Sequence, residues 1–436
     1  MPPRADPDFA PPPQPVPYVP DDRAELPPTA EVVVVGAGMV GASAAYHLAR
    51  AGMRPLVLEA NAPAWGASGR NAGMALAGLG GHFPRVTRLV AGAGGRSILD
   101  YTTRSLDMLE AWDAALTGGI EWDRSGSLDL ALDEAEEAHV REMAVLQAAE
   151  GLDVHTIGPD DLRELAPGLA AEEVRVAKWT PRDGKLNPFR LCYRLLEAVE
   201  QMGGTVVTGV RVEAVRARGG RASGVATGRG DVAAGSVLLA TNAWTPALVP
   251  HLAHSLTPIR ETVCVTEIID VRIGEPGFET NQCNEYWRQM RTGEVVIGGY
   301  AVADDGMGIG RYAMEVRPAV PPLLARLLAR LHPALRDARI VRCWSGILDF
   351  AALEIPLAGP LPAEDGTTVP GAFVAAGLTG HGHPYAPILG LLLAERIADG
   401  EARTLSLAPF DPARYVGVSH QPTWLDPFTG HSPIVG

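Results

Sequence analysis

The stretch Glu31–Ala60, EVVVVGAGMVGASAAYHLARAGMRPLVLEA, decides the fold. Residues 31–35 read as a buried strand, four consecutive valines ahead of a glycine. Gly36, Gly38 and Gly41 complete G-x-G-x-x-G where strand gives way to helix. Gly36 permits the tight turn, Gly38 a close approach of backbone to a pyrophosphate, and Gly41 close packing of helix on strand. The free N–H groups of Ala37, Gly38, Met39 and Val40, at the positive end of the helix, then hold the phosphates. A second strand, residues 55–58, ends in Glu59, 18 positions after Gly41, followed by Ala60. A carboxylate there accepts hydrogen bonds from both ribose hydroxyls and repels a 2′-phosphate. Strand, helix, second strand and acid in register identify a site for an ADP moiety.

That fingerprint does not separate NAD from FAD. The next segment, NAPAWGASGRNAGM (61–74), does. An NAD enzyme usually continues into another βαβ unit. Here a glycine-, serine- and asparagine-rich loop follows instead, and it resembles the D-amino acid oxidase / glycine oxidase / sarcosine oxidase superfamily of FAD-dependent oxidoreductases. The resemblance implies that Gly66, Ala67, Ser68, Arg70, Asn71, Ala72, Gly73 and Met74 run along the flavin, Arg70 and Asn71 supplying polar contacts. The same superfamily pattern continues at Asp183–Pro188 (D-G-x-x-[DN]-P) and in TVVTGVRVEAVRA, where it implies an adenine contact at Val212. It continues again in VLLATNAW (237–244), implying Thr241, Asn242 and Trp244 at the cofactor. In RCWSGILDF (342–350) it implies Gly346. The last motif is FVAAGLTGHGHPYAPILG (373–390). Here the resemblance implies that Gly377, Thr379, Gly380, His381 and Gly382 face the flavin, with the N-terminus of the following helix (386–398) stabilising negative charge on the reduced ring. The G-H-G-x-x-x-A-P-x-x-G pattern at Gly380–Gly390 is most similar to the sarcosine oxidase β-subunit branch.

Length and composition agree. A chain of 436 residues is too long for one core. The expectation is an α/β protein (α+β overall), a Rossmann-like FAD domain interleaved with a substrate domain on a mainly antiparallel sheet. The FAD domain takes 31–90, 185–250 and 341–402, and the substrate domain takes 91–184 and 251–340. Residues 403–436 form a C-terminal tail. Residues 1–30 hold eleven prolines and read as an extended leader in which Phe9 and Tyr18 are candidate anchors. No signal peptide or membrane-length apolar run appears. A net charge of −14 argues against nucleic acid and anionic membrane as partners. Four cysteines without C-x-x-C spacing suggest free thiols, a cytoplasmic location and no metal.

The implied chemistry is oxidation of the C–N bond of an amino acid or secondary amine by hydride transfer to flavin N5. The imine is then hydrolysed, and oxygen accepts the electrons to give hydrogen peroxide. The alternatives are a flavin dehydrogenase feeding a protein partner or quinone, and, from another class, a nicotinamide-dependent reductase or a flavin-binding module without turnover. A homo-oligomer or a partner subunit is left open. His381 is a candidate at the cofactor, and His383 and Tyr385 are candidates for the substrate cavity. On the strand NEYWRQ, alternation puts Tyr286 and Arg288 on one face and Trp287 on the other. An inward Arg288 suits a substrate carboxylate, which a guanidinium binds through two donors; Arg85 and Arg260 are further candidates. Two departures stand out: monomeric sarcosine oxidases carry a lysine where this chain has Pro384, and another on the roofing sheet, where GEVVIGGY has none. Flavin is expected to be non-covalent. A thioether at Cys343 is the alternative, although the register places Trp344 at that point.

Overall fold

The protein is described here by a computed structural model covering residues 25–92, 97–281 and 284–419. Most of the proline-rich leader, the end of the tail and Cys283 lie outside the described residues.

The valine run forms the middle of an eight-stranded sheet because it pairs on both sides and is covered on both faces. Strand Thr29–Val35 runs parallel to Pro55–Leu58 and to Gly230–Leu239. Strand Thr205–Val207 lies parallel beyond Pro55–Leu58, and Thr368–Ala376 lies parallel beyond Gly230–Leu239. Leu357–Pro362 closes one edge antiparallel. Val32 and Val34 face a core shared with the helices, whereas Val33 and Val35 face the hairpin Val212–Arg218/Arg221–Thr227. Burial on both faces is why this strand reads as a continuous apolar run rather than an alternation.

Helix Met39–Arg50 packs on Gly382–Ala398. Gly390 makes that contact feasible, since a Cβ there would stand 2.7 Å from the Ala44 nitrogen. The Ser43 hydroxyl donates to the Pro387 carbonyl across the same seam, at 2.9 Å. The second helix starts at Gly382, four residues earlier than expected, because Pro384 occupies its first turn, where a missing N–H costs nothing.

A second eight-stranded sheet, mainly antiparallel, runs in the order 340–351, 256–266, 295–299, 285–289, 277–280, 127–131, 176–180, 155–157. One face buries Phe278, Trp287 and helix Val320–Leu331. The opposite face of its central strands looks toward the first sheet. Asp183 of the D-G-x-x-N-P motif ties the loop after Met74–Ala75 to strand Ser127–Ala131 of the second sheet, accepting from the Ala77 nitrogen (2.7 Å) and the Ser127 hydroxyl (2.6 Å).

Two expected boundaries are corrected. Ile340–Ala351 belongs to the second sheet, paired along its length with Leu256–Thr266, so the return to the first sheet comes after it. Helix Ile98–Ala115 packs with the helices of the dinucleotide fold rather than with the second sheet. No helix among the described residues is long and apolar enough to cross a membrane.

Candidate active site

A cavity of about 660 Å³ runs from the end of the valine strand to the wall of the second sheet. Its first end is made by the glycine turn. Gly36 adopts φ +105°, and a Cβ there would stand 2.6 Å from the Ala240 carbonyl oxygen. A Cβ on Gly41 would overlap the Gly36 oxygen, so this glycine serves packing and does not line the cavity. Gly38, Met39 and Val40 do line it. Glu59 sits on the rim, its carboxylate accepting from the Ala37 nitrogen (2.9 Å) and the Asn61 nitrogen (2.8 Å). Burial raises the Glu59 pKa, and those backbone donors oppose the rise. Ala60 and Val212 complete this end.

The loop after Glu59 is organised by its own polar side chains. Ser68 Oγ accepts from the Met39 nitrogen at 3.0 Å, fastening the loop to the helix start. Asn71 donates to the Ala67 and Ser68 carbonyls and accepts from the Gly73 nitrogen. Gly66, Ala67, Ser68 and Asn71–Met74 line the cavity. Arg70 does not. Its guanidinium donates to the Trp65 and Ser345 carbonyls, and its backbone oxygen accepts from the Trp344 indole at 3.1 Å. Gly346 is also off the wall, because it gives room to the Arg70 side chain.

Thr241, Asn242 and Trp244 line the opposite side, followed by Thr379, Gly380, His381 and Gly382. Gly377, expected beside them, lies behind the wall at φ +69°, its nitrogen donating to Asp349 at 2.8 Å. His381 Nδ1 is 2.7 Å from the Thr379 carbonyl oxygen, and its ring stands edge-on to His82 at 4.8 Å. His383 reaches the cavity. Burial holds His383 neutral, its pKa lowered to about 4, with help from the Arg288 charge. Tyr385, two residues on, does not reach it; its ring packs on Phe410 in the core. Residues two apart on a helix point to opposite sides, and the earlier helix start settles which side each takes.

On the second sheet, Trp287 stacks on Phe278 and donates from its indole to His332, while Tyr286 lines the cavity from the opposite face. Arg288 shares Tyr286's face but does not line the cavity. It donates from Nε to the Ala72 carbonyl and from Nη2 to the Leu186 carbonyl (2.8 Å). The carboxylate-binding role expected of it is therefore not available. Arg260 is likewise committed, in a two-point ion pair with Asp304. The Arg85 side chain lies outside those described.

Several acidic residues not singled out from the sequence line the cavity, among them Glu261, Glu279 and Asp349. Glu261 accepts from the Tyr286 hydroxyl at 3.1 Å. Burial pushes its pKa up to about 7. Glu279 is pushed to about 8 by burial, with Asp129 adding to the rise. Asp349 rises to about 7 for want of solvent. Glu261 was legible: alternation along TPIRETVCVT puts it on the face of Ile259, opposite Arg260. Cys343 does not reach the cavity, its sulfur lying 3.0 Å from that of Cys264 on the neighbouring strand.

Residues 31–396 match the family model of FAD-dependent oxidoreductases (DAO), and the chain belongs to that family. It is 27 % identical to glycine oxidase of Geobacillus kaustophilus over 395 residues, 89 % of this chain and 97 % of the relative. It is 25 % identical to human mitochondrial dimethylglycine dehydrogenase over 88 % of this chain but only 44 % of that protein. Among solved structures, L-proline dehydrogenase from P. horikoshii superposes with a TM-score of 0.78 at 22 % identity, covering 91 % of this chain and all of the other. The fold is thus the mixed α/β fold of this family, and the protein is an FAD-dependent oxidoreductase. The residues present fit the cofactor: a bare glycine backbone where a Cβ on Gly38 would stand 2.9 Å from Ser68 Oγ, a rim carboxylate, and one continuous cavity.

Proposed function

We propose that this enzyme oxidises the C–N bond of an amine or amino acid to an imine, which water then hydrolyses, with dioxygen receiving the electrons as hydrogen peroxide. The observation that carries this reading is the single cavity joining the Glu59 rim to a chamber walled by Tyr286, Glu261 and His383. It runs from the glycine turn and Glu59 to the strands of the second sheet, so one cavity reaches both the residues expected at the dinucleotide and those expected at the substrate.

Bound FAD supplies a two-electron acceptor for the hydride leaving the substrate carbon. Glu59 would hold the ribose, and the Gly38 N–H, with the positive end of helix Met39–Arg50, would hold the pyrophosphate. The Asn71–Met74 backbone and the Gly380–Gly382 loop would flank the ring. The N-terminus of helix Gly382–Ala398 favours negative charge beside it. Tyr286 and Glu261 form the wall against which a substrate is placed, so that reacting atoms are held together and water is displaced. His383, kept neutral, brings no charge to this wall.

The test is anaerobic. A panel of secondary amines and amino acids is mixed with the holoenzyme and flavin bleaching is recorded, then air is admitted and peroxide measured. Bleaching followed by stoichiometric peroxide supports the proposal. Bleaching with reoxidation only by a quinone or a protein acceptor would assign a dehydrogenase, an outcome consistent with the absence of lysine from Val295–Gly299. No bleaching by any amine would overturn C–N oxidation.

A further inference from the structure

Two thiols meet on the side of the second sheet turned away from the cavity. Cys264 and Cys343 are directly opposed in the antiparallel pairing of Leu256–Thr266 with Ile340–Ala351, and their sulfurs stand 3.0 Å apart. The neighbouring rung shows the same face: the Thr262 and Ser345 hydroxyls, opposed in the same ladder, lie 3.1 Å apart. Glu261, one residue out of phase on its strand, points into the cavity instead. Opposed Cα atoms in an antiparallel pair are about 4.5 or 5.5 Å apart, and a disulfide spans about 4.4–6.8 Å, so either spacing suits one. The sulfur–sulfur bond is about 2.05 Å long, and a combined movement of about 1 Å closes it without any change of register.

The two sulfurs differ in their surroundings. Ile340–Ala351 is the edge strand of its sheet, and Cys343 is half-buried on it. Val341, two residues away on the same face, is 60 % exposed, so a small solute reaches this edge from solvent. Cys264 is fully buried in the core that the sheet shares with helix Val320–Leu331. Burial and the adjacent sulfur push the Cys264 thiol up, so it keeps its proton and donates toward Cys343. Susceptibility to oxidants follows exposure, which makes Cys343 the attacking sulfur and Cys264 the resolving one. Cys192 lies apart from both, buried in the helical core over the first sheet.

We infer that Cys264 and Cys343 form a redox site that a hydroperoxide closes to a disulfide, stapling the edge strand to its neighbour. The Cys343 sulfur attacks one oxygen of hydrogen peroxide. The O–O bond breaks, the other oxygen leaves as water, and a sulfenic acid remains on Cys343. The Cys264 sulfur then displaces that hydroxyl, which takes the Cys264 proton and leaves as a second water. Two thiols lose two electrons to become one disulfide, and one peroxide is reduced to two waters. A dithiol reverses the bond by exchange. Peroxide is the product assigned to turnover above, but the site takes the oxidant from any source.

The experiment treats the reduced, FAD-loaded enzyme with a small excess of hydrogen peroxide, alkylates the remaining thiols in acid, and maps peptides without reductant. The expected result is one peptide pair joined through Cys264 and Cys343, with two of the four thiols lost and both recovered by dithiothreitol. Cys264→Ser should give no disulfide and a Cys343 sulfenic acid that dimedone captures. Cys343→Ser should leave Cys264 reduced. FAD content of each variant shows that it is folded. Four thiols surviving in the parent, pairing through Cys192 or Cys283, or sulfinic acid at Cys343 without the disulfide would overturn the inference. A second arm replaces added peroxide with an amine that bleaches the flavin, in air, with and without catalase. A disulfide that forms on turnover and is suppressed by catalase supports the site. A pair closed by added peroxide but never by turnover keeps the site and counts against oxygen as the acceptor, so the two readings fail separately.

Discussion

The Tyr286 hydroxyl donates to the Glu261 carboxylate at 3.1 Å across the wall of the cavity. The two side chains come from strands separated by Val295–Gly299, and Gly298 makes the reach possible: a Cβ there would stand 2.5 Å from the tyrosine ring carbon that bears the hydroxyl. Burial pushes Glu261 up to about 7, and the tyrosine hydrogen bond holds it from going higher. Desolvation and the adjacent carboxylate keep the tyrosine itself well above its ordinary range, so it remains the donor.

Tyr286→Phe removes the donor that favours the charged form, so the Glu261 pKa should rise. In pH-difference infrared spectra, the protonated carboxyl band of Glu261, identified by its loss in Glu261→Gln, should disappear with a midpoint near 7 in the parent protein. The midpoint should lie higher in Tyr286→Phe. An unmoved or lower midpoint would show that the hydroxyl does not govern this carboxylate.

Arg288 ties the flavin loop at Ala72 to the turn at Leu186. Arg288→Lys replaces a planar fork with one point charge that cannot span both carbonyls. Each lost charge-assisted bond costs on the order of 1.5–3 kcal/mol where the acceptor stays buried. The variant should melt earlier and retain less FAD. Its residual kcat/KM should fall alike for substrates with and without a carboxylate. A loss confined to carboxylated substrates would restore Arg288 to the substrate site.

How much was legible in the sequence follows from what each signal encodes. The Glu31–Ala60 reading needs only local geometry, since Gly36 takes φ +105° and a Cβ on Gly41 would overlap the Gly36 oxygen. Alternation correctly separated Trp287 from Tyr286 and Arg288. It gives a face and not a partner, and the partners of Arg288 come from 216 and 102 positions away. The same limit applies to Gly346, whose neighbour is the Arg70 side chain. Tyr385 was misplaced for a different reason. The helix was expected to start at residue 386 and starts at Gly382, which turns Tyr385 from a loop position into a core one. The acidic chamber was missed because a glutamate on a strand reads as solvent-facing until the second sheet is laid against the first.

Cys343 Sγ points to Cys264 across paired strands and not into the cavity. The flavin should accordingly be held without a covalent bond. Acid precipitation should leave a colourless pellet and a yellow supernatant, and Cys343→Ser should keep its full FAD content. Colour retained on the pellet and lost in Cys343→Ser would contradict the geometry.

Asp349 connects the last strand of the second sheet to the glycine loop. Its Oδ2 accepts from the Gly377 nitrogen, and its backbone oxygen accepts from the Thr379 nitrogen, both at 2.8 Å. The side chain is 2 % exposed, and Oδ1 has no hydrogen-bond partner among the described residues. Burial raises its pKa from an ordinary 3.8 to about 7, against the smaller opposing effect of the Gly377 donor; Tyr312 is the ionisable neighbour that feels its charge. The folded state thus holds this proton more tightly than the unfolded chain does. Stability from this group is fully present below about pH 4 and is lost as the pH rises toward 7. At 1.36 kcal/mol per unit, the change amounts to a few kcal/mol. Asp349→Asn cannot ionise and keeps an acceptor for Gly377. Relative to the parent, its Tm should rise between pH 5 and pH 8, most of the gain appearing as pH 7 is approached. Melting curves across that range, taken at saturating FAD to hold cofactor linkage constant, provide the check. A variant whose Tm runs parallel to the parent's at every pH would show that Asp349 is not the group protonated in the fold.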